Sequence, residues 1–206
     1  MSDFAILDVP SILGLKPTGV ENLPEALKAA GLLKKLSAQY LGRVEPSPAY
    51  STERDKSTQL LNGEVIRSFS LQLADSVAIA LREKDQFLIV LGGDCSIIIG
   101  SLLALRRMGK YGLFFIDGHA DFYQPEASLT GQVADMDPAI VSGRGPEILT
   151  NIDGLRPLVS DKNIVVFGYR DIDEAASYGS QDVLKTDIQV FDLSKVRKLK
   201  ITIGFS

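Results

Sequence analysis

The sequence has few cysteines, no long apolar stretch and no targeting segment, and each of these absences excludes a class of protein. Its 206 residues include a single cysteine, Cys95, so an internal disulfide is excluded and a reducing compartment is expected. No stretch approaches the roughly 18 uninterrupted apolar residues of a membrane span, and the N-terminus lacks a basic segment followed by a long apolar one. We therefore predict a cytoplasmic protein with no membrane partner.

The charged residues give no sign of nucleic-acid binding. The chain has 22 lysines and arginines against 26 aspartates and glutamates, for a net charge of -4, and the cations form no basic stripe. A composition of 45% hydrophobic and 23% charged residues is ordinary for a folded globular domain of this length. We expect a small-molecule ligand rather than a nucleic acid.

Short apolar runs alternate with amphipathic segments along the chain. The runs predict buried parallel strands at Phe4 to Val9, Phe87 to Leu91, Leu113 to Ile116, Ile164 to Phe167, Val190 to Phe191 and Leu199 to Ile203. The segments between them predict helices at Leu23 to Tyr40, Ser70 to Glu83 and Ile97 to Met108. The pattern indicates an α/β fold, a doubly wound parallel sheet with helices on both faces, in a single domain over residues 1–206.

Two polar stretches are predicted as loops. Leu41 to Asn62 contains proline and serine and is interpreted as an ordered loop or a flexible lid. Ser142 to Pro146 contains two glycines and predicts a second loop.

The clearest chemical motif is Asp117-Gly118-His119-Ala120-Asp121, directly after an apolar strand. If the backbone stays extended, alternation places the three polar side chains on one face, where carboxylates and imidazole suit Mn²⁺ or a similar divalent metal. The alternative is that they cap the strand by bonding nearby backbone groups. Because His119 is the only histidine in the chain and lies between two carboxylates, we predict metal binding.

A second motif, Gly92-Gly93-Asp94-Cys95-Ser96, also follows a strand and opens a helix. A strand, helix, strand crossover of this length predicts two parallel and adjacent strands, with both motifs at the ligand-binding edge of the sheet. Cys95 is either a metal ligand or a small buried apolar residue.

These motifs together resemble the ureohydrolases, the arginase, agmatinase and formiminoglutamase family. GGDCS resembles the family motif GGDHS with Cys95 in place of a histidine, and DGHAD is similar to DAHxD. DVPSILGLKPTGVENLPEAL, residues 8–27, and VVFGYRDID, residues 165–173, are similar to family sequences too. The resemblance implies an arginase-like sheet whose C-terminal strands are missing from this chain, and a homo-oligomer.

The resemblance also implies a site with two Mn²⁺ ions. Cys95, Asp117 and Asp121 would bind one ion, and Asp117 and His119 the other, for hydrolysis of a guanidino or formimino C–N bond. Asp173 matches a family position near the amino end of the substrate, although it can also be an exposed turn carboxylate. Because a thiolate is softer than imidazole, Cys95 would shift the metal preference toward Zn²⁺ or Fe²⁺.

The chain departs from the family in two further ways. The family motif SxDxDxxDP, with its bridging carboxylate, does not follow Asp173, and Asp135 to Pro138, of similar appearance, is interpreted as a loop or helix cap. No histidine follows His119, so a water or a carboxylate would have to transfer the proton. Two hypotheses result: a binuclear metal hydrolase, or a non-catalytic truncated ureohydrolase that serves as a metal-binding module.

Overall fold

A computed structural model describes residues 3–82 and 86–199 of the chain. Its strands are β1 (Phe4–Val9), β2 (Gln39–Arg43), β3 (Phe87–Gly92), β4 (Leu113–Ile116), β5 (Ile164–Phe167) and β6 (Gln189–Phe191). Its α-helices are α1 (Leu23–Ala29), α2 (Leu32–Leu36), α3 (Gly63–Ala80), α4 (Ile97–Met108), α5 (Asp137–Val141), α6 (Glu147–Thr150), α7 (Ile172–Ser177) and α8 (Leu193–Lys198). The predicted α/β class is confirmed, while the predicted strand from Leu199 to Ile203 falls almost entirely outside the described residues.

The strands form two parallel sheets, in the order β2-β1-β3 and β4-β5-β6. The expectation that β3 and β4 are neighbours in one sheet is wrong, because no ladder joins them within the described residues. Buried side chains of both sheets, such as Val9 and Phe115, nevertheless belong to one hydrophobic cluster. Across residues 3–82 and 86–199, every helix is too short or too polar to cross a membrane.

The second sheet is covered on one face only in the described structure. Phe115 is buried, whereas its neighbours Phe114 and Ile116 are 57% and 71% exposed, so the expected burial of this strand on both faces is wrong. Alternate residues of a strand face opposite sides, so one face of β4 points away from the core. On that face Phe114, Phe167 and Phe191 form a row across the three strands, with ring centroids 5.4 and 5.8 Å apart.

The helix predicted from Leu23 to Tyr40 is divided. It breaks at Gly31, whose φ of 88° lies in the left-handed region, and again at Ser37 with φ 49°. The residues that follow pair with β1 as strand β2, so tertiary pairing overrides the helical pattern there. The segment predicted as a loop therefore begins inside β2 and is irregular only after Arg43.

Helix α3 begins earlier than predicted, at Gly63, and ends at Ala80. It packs against α4 at Gly100, where an added Cβ would lie 2.9 Å from the backbone oxygen of Ser70. The loop before α3 is ordered by Arg54, whose guanidinium donates hydrogen bonds to three backbone carbonyls, those of Gln59, Pro125 and Ser128. The alternative of an ordered loop is the one the structure supports.

Candidate functional site

The loop after β4 carries the aspartates and histidine of the DGHAD motif. β4 ends at Ile116, and the chain then bends, with Asp121 in the left-handed region at φ 44°. The expected alternation of three side chains on one strand face is therefore wrong: Asp121 is buried and His119 is exposed. A non-glycine residue with this φ is uncommon and marks a position that the surrounding structure enforces.

The segment after β5 enforces this loop conformation. The backbone NH of Arg170 donates to the carbonyl of Gly118 at 3.0 Å, and the NH of Ala120 donates to Asp171 Oδ1, also at 3.0 Å. Asp171 is itself buried, so its carboxylate fixes the turn that positions Asp121. Sequence analysis did not assign a role to Asp171, although its position in a stretch similar to ureohydrolases was a signal.

The loop after β3 is held against the loop after β1. The NH groups of Gly93 and Asp94 donate to the carbonyls of Val9 and Ser11 at 3.1 and 2.9 Å. A Cβ on Gly93 would lie 2.0 Å from the Ser11 carbonyl oxygen, so only glycine fits this close approach. The second motif is thus fixed at the end of its strand, and Cys95 follows directly.

The two motif loops lie near enough for carboxylates of both to act on Cys95, although their strands belong to separate sheets and not to one sheet edge as predicted. Cys95 is open to solvent, yet the protein around its sulfur and the charges of Asp137, Asp121, Asp117 and Asp94 raise the pKa of the thiol to about 12. The thiol therefore lies among carboxylates from both loops. This environment disfavours a free thiolate and would favour one only if a cation were bound beside it.

Four carboxylates act on Cys95, and a fifth, Asp135, acts on two of them, Asp121 and Asp137. We call these five the acid cluster: Asp94, Asp117, Asp121, Asp135 and Asp137. Burial, with the charges of Asp117, Asp135 and Asp171, raises the pKa of Asp121 to about 8. In the part of the chain that the structure describes, no member forms an ion pair with a lysine or arginine. Buried carboxylates in proteins are normally paired, bound to a metal or protonated.

Asp137 is the most deeply placed member of the acid cluster. It is the first residue of α5, and its side chain is completely buried. Asp135 to Pro138 was interpreted as a loop or a helix cap, but the N-cap position is Met136 and no side chain caps the helix, so the cap interpretation is wrong. Neither carboxylate oxygen of Asp137 has a hydrogen-bond partner. Burial and the charges of Asp121, Asp94, Asp135 and Asp117 raise its pKa well above the usual value.

His119 lies at the solvent side of the cluster. Its Nδ1 is 3.5 Å from Asp117 Oδ1, an oxygen that also accepts a hydrogen bond from the His119 NH at 2.9 Å. Within residues 3–82 and 86–199, no three histidine, cysteine, aspartate or glutamate side chains lie close enough together to hold a metal ion as they stand. The predicted ligands Cys95, Asp117, His119 and Asp121 therefore do not form a ready metal-binding group in this structure.

A cavity of about 260 Å³ opens beside the cluster. Its lining is acidic and hydroxylic and includes His119, Asp121, Tyr123, Ser128, Thr130, Asp135, Asp171, Glu174 and Tyr178. Asp173, the predicted substrate residue, instead lines a neighbouring cavity with Asp192 and Arg197. Sequence reasoning did not single out Glu174 or Tyr178, because only the fold brings these two residues to the same cavity as the DGHAD loop.

Known proteins of one family resemble the chain in sequence. The sequence model of the arginase family matches residues 2–204. Arginase from Staphylococcus aureus (strain COL) is 31% identical over 204 residues, which cover 95% of this chain and 65% of that protein. Arginase from Bacillus subtilis (strain 168) is 29% identical over 205 residues, covering 96% and 67%. The chain thus spans about 65% of the length of the curated arginases of Staphylococcus aureus.

Solved structures agree with the sequence comparison. The native arginase from Bacillus caldovelox has a TM-score of 0.83 at 27% identity, covering 97% of this chain and 68% of that one. Arginase from Entamoeba histolytica in complex with L-ornithine has a TM-score of 0.78 at 26% identity, covering 96% and 67%. The chain belongs to the arginase family.

Proposed function

We propose that this chain contributes a metal site to an arginase-like hydrolase that cleaves a C–N bond of a guanidino or formimino compound. The observation that carries the proposal is the acid cluster, which has no lysine or arginine partner in the described residues and adjoins Cys95 and His119. A divalent cation would supply the missing positive charge. The unpartnered buried oxygens of Asp94 and Asp137 fit such a cation.

The proposed ligands are those of the family resemblance. Cys95, Asp117 and Asp121 would hold one Mn²⁺, and Asp117 and His119 would hold a second, while the Cys95 sulfur also suits Zn²⁺ or Fe²⁺. When bound, the metal would supply Lewis acidity and lower the pKa of a water molecule. Asp117 lies beside His119, with its Oδ1 3.5 Å from His119 Nδ1.

The acidic side chains that line the cavity support the proposal of a cationic substrate. Asp135, Asp171 and Glu174 line it and attract a guanidinium group. Thr130 donates a hydrogen bond to Asp135 Oδ2 at 3.1 Å, which orients that carboxylate toward the cavity. Burial raises the pKa of Asp135, so it is the carboxylate best placed to exchange a proton in the absence of a second histidine.

A metal-binding module without turnover is the second candidate. The chain spans about 65% of the length of its Staphylococcus aureus relatives and has no SxDxDxxDP motif. Without that bridging carboxylate the two ions lose ligands that would hold them close together. Cytoplasmic localisation, a homo-oligomeric state and a role for Asp173 in substrate binding stay predictions.

The first experiment measures metal content. We expect Asp121→Ala to remove most of the Mn²⁺ that the purified chain retains after dialysis, because it deletes a buried carboxylate at the centre of the cluster. Asp173→Ala is the matched control, since it makes the same change outside the cavity. Equal metal content in both variants and in the unmodified chain would contradict the proposed ligands.

A urea-release assay with arginine and agmatine in excess Mn²⁺ separates the two candidate functions. We expect bound metal with little turnover from the 206-residue chain. Turnover on the order of 1 to 10³ s⁻¹ would instead establish an active hydrolase. Agmatine and arginine differ by a carboxylate, so the ratio of their urea-release rates also tests whether the cavity selects for that carboxylate.

A further inference from the structure

We propose that Arg54 is a positioning residue for the candidate site, although it lies outside both motif loops. The inference rests on the cationic substrate proposed above and concerns one wall of its cavity. Four consecutive residues, Ala127 to Thr130, line that cavity. Arg54 lines a different cavity, beside the loop that precedes α3, so it acts on the candidate site through this wall.

The guanidinium of Arg54 joins two distant parts of the chain. Its Nε donates to the carbonyl of Gln59 at 2.8 Å, Nη1 donates to the carbonyl of Ser128 at 2.9 Å, and Nη2 donates to the carbonyl of Pro125 at 2.7 Å. Pro125 and Ser128 are 71 and 74 residues further along the chain than Arg54. Because a guanidinium presents its donors in a rigid planar fork, one side chain fixes both carbonyls relative to its own loop.

The same two parts of the chain also meet at Gly131. This residue has a φ of 71°, and an added Cβ would lie 2.6 Å from Arg54 Nε and 2.7 Å from the Gln59 carbonyl oxygen. Only glycine fits so close an approach. The carbonyl of Gly131 accepts a hydrogen bond from the NH of Leu61 at 2.8 Å. The cavity wall is therefore held from both ends, at Pro125 and at Gly131.

Hydrogen bonds continue from this wall to a carboxylate of the acid cluster. Ser128 Oγ and Thr130 Oγ1 are 3.3 Å apart, and Thr130 Oγ1 donates to Asp135 Oδ2 at 3.1 Å. Since the Thr130 hydroxyl hydrogen points to Asp135, Ser128 is the donor in the first of these bonds. Ser128 is also the residue whose carbonyl Arg54 holds. The direction of the Asp135 carboxylate in the cavity thus depends on Arg54.

Arg54 acts by geometry and not as a counter-charge. Anywhere in residues 3–82 and 86–199, no carboxylate forms an ion pair with its guanidinium, and its three hydrogen bonds all go to neutral carbonyls. A lysine at this position would keep the charge, but its single ammonium group could not reach three carbonyls in one plane. The two properties can therefore be separated by substitution.

Hydrogen exchange of the 206-residue chain tests whether Arg54 holds the wall. The backbone amides of Gly131 and Gln132 donate to the hydroxyls of Ser128 and Thr130 at 2.9 and 3.1 Å. In Arg54→Gln we expect these amides to exchange at least about tenfold faster, while the amides of β1 and β5 exchange as before. Equal acceleration everywhere would show a general role in folding, and unchanged exchange would show that Arg54 does not hold the wall. Either result would overturn the proposal.

Binding of agmatine tests the consequence for the site. Tyr123 and Tyr178 line the cavity, so tyrosine fluorescence can follow a titration. We expect Arg54→Gln to bind agmatine about tenfold more weakly than the unmodified chain, and Arg54→Lys to be weakened similarly. Arg82→Gln changes an exposed arginine just after α3 and should bind as the unmodified chain does. An Arg54→Lys variant that binds normally would show that charge, not geometry, matters.

Thr130→Val tests the hydrogen bonds that lead to Asp135. It removes the hydroxyl and should also weaken agmatine binding about tenfold, while the Gly131 amide stays slow to exchange. Combined with Arg54→Gln, the loss should be smaller than the product of the two single losses, because both changes act on the same carboxylate. Independent effects would contradict the connection through Thr130.

The unmodified chain separates this inference from the proposed function. If it does not bind agmatine, the proposed cationic substrate is wrong, and the role of Arg54 in holding its cavity fails with it. If it binds agmatine and Arg54→Gln binds equally well, only the role of Arg54 is wrong.

Discussion

Two completely buried aspartates, Asp8 and Asp137, lie in opposite environments. Asp8 is on β1, and its Oδ2 accepts hydrogen bonds from Lys28 Nζ at 2.5 Å and from the Tyr40 hydroxyl at 3.1 Å. Asp137 has no partner within the described residues. The fold therefore supplies partners to one oxygen of Asp8, Oδ2, and to neither oxygen of Asp137.

Asp8 belongs to the structural framework of the protein, whereas Asp137 belongs to the candidate site. The hydrogen bond to Asp8 raises the pKa of Lys28 above its usual value, so the ammonium group of Lys28 stays charged at every ordinary pH. Asp8 joins α1, β1 and β2, which carry no residue of the acid cluster. In the acid cluster, by contrast, neighbouring carboxylates repel one another, and either protonation or a bound cation would relieve that repulsion.

The largest effect is expected when the partner of Asp8 is removed. Lys28→Met keeps the aliphatic stem but leaves a buried charge unpaired, so we expect the free energy of unfolding to fall by about 3 kcal/mol. Urea unfolding followed by circular dichroism measures it. Lys35→Met, on the exposed side of α2, should change stability by no more than about 0.5 kcal/mol. An equal effect of both variants would mean that Asp8 is not held by Lys28.

The acid cluster predicts a pH dependence in the metal-free chain. The pKa of Asp121 is about 8 in the folded state against 3.8 for the free side chain, so the folded chain binds more protons between these values. Its contribution to stability is fully present below about pH 4 and is lost as the pH rises through 8. From pH 6 to pH 8 the free energy of unfolding should fall by about 2 kcal/mol from this group alone.

Asp121→Asn is the control for that slope. It cannot ionise, so the stability of the metal-free variant should vary less over the same pH range. Saturating Mn²⁺ should also flatten the slope in the unmodified chain, because a bound cation stabilises the ionised carboxylate. A slope that neither change reduces would have to come from other groups.

The strands and the α/β class could be predicted because a short apolar run in a folded chain is usually a buried strand. The sequence did not predict where helix gives way to strand after Gly31, since the pairing of β2 with β1 is a non-local contact. The adjacency of β3 and β4 was also mistaken. A crossover connection fixes the direction of two strands but not whether they are neighbours.

At the candidate site, sequence analysis anticipated that Cys95 and the DGHAD carboxylates would come together. They do, but through a bend at Asp121 rather than through strand alternation. The sequence could not show the burial of Asp137, because the residues that enclose it come from other parts of the chain. The sequence suggested only a loop or a helix cap for Asp135 to Pro138 and missed the unpaired carboxylate of Asp137, which is a tertiary property.

The smallest expected effect concerns the second partner of Asp8. Tyr40→Phe removes the hydroxyl that donates to Asp8 Oδ2 but keeps the ring, whose centroid lies 4.6 Å from Lys28 Nζ. The cation–π contact and the ion pair therefore remain, and only one hydrogen bond is lost. Because Tyr40 is 43% exposed and water can replace the hydroxyl, we expect a loss of about 1 kcal/mol in urea unfolding. Tyr111→Phe is the matched control, since the Tyr111 hydroxyl is exposed and has no hydrogen bond recorded in the described structure. A loss as large as that of Lys28→Met would show that the hydroxyl, and not the ammonium group, is what satisfies the buried carboxylate.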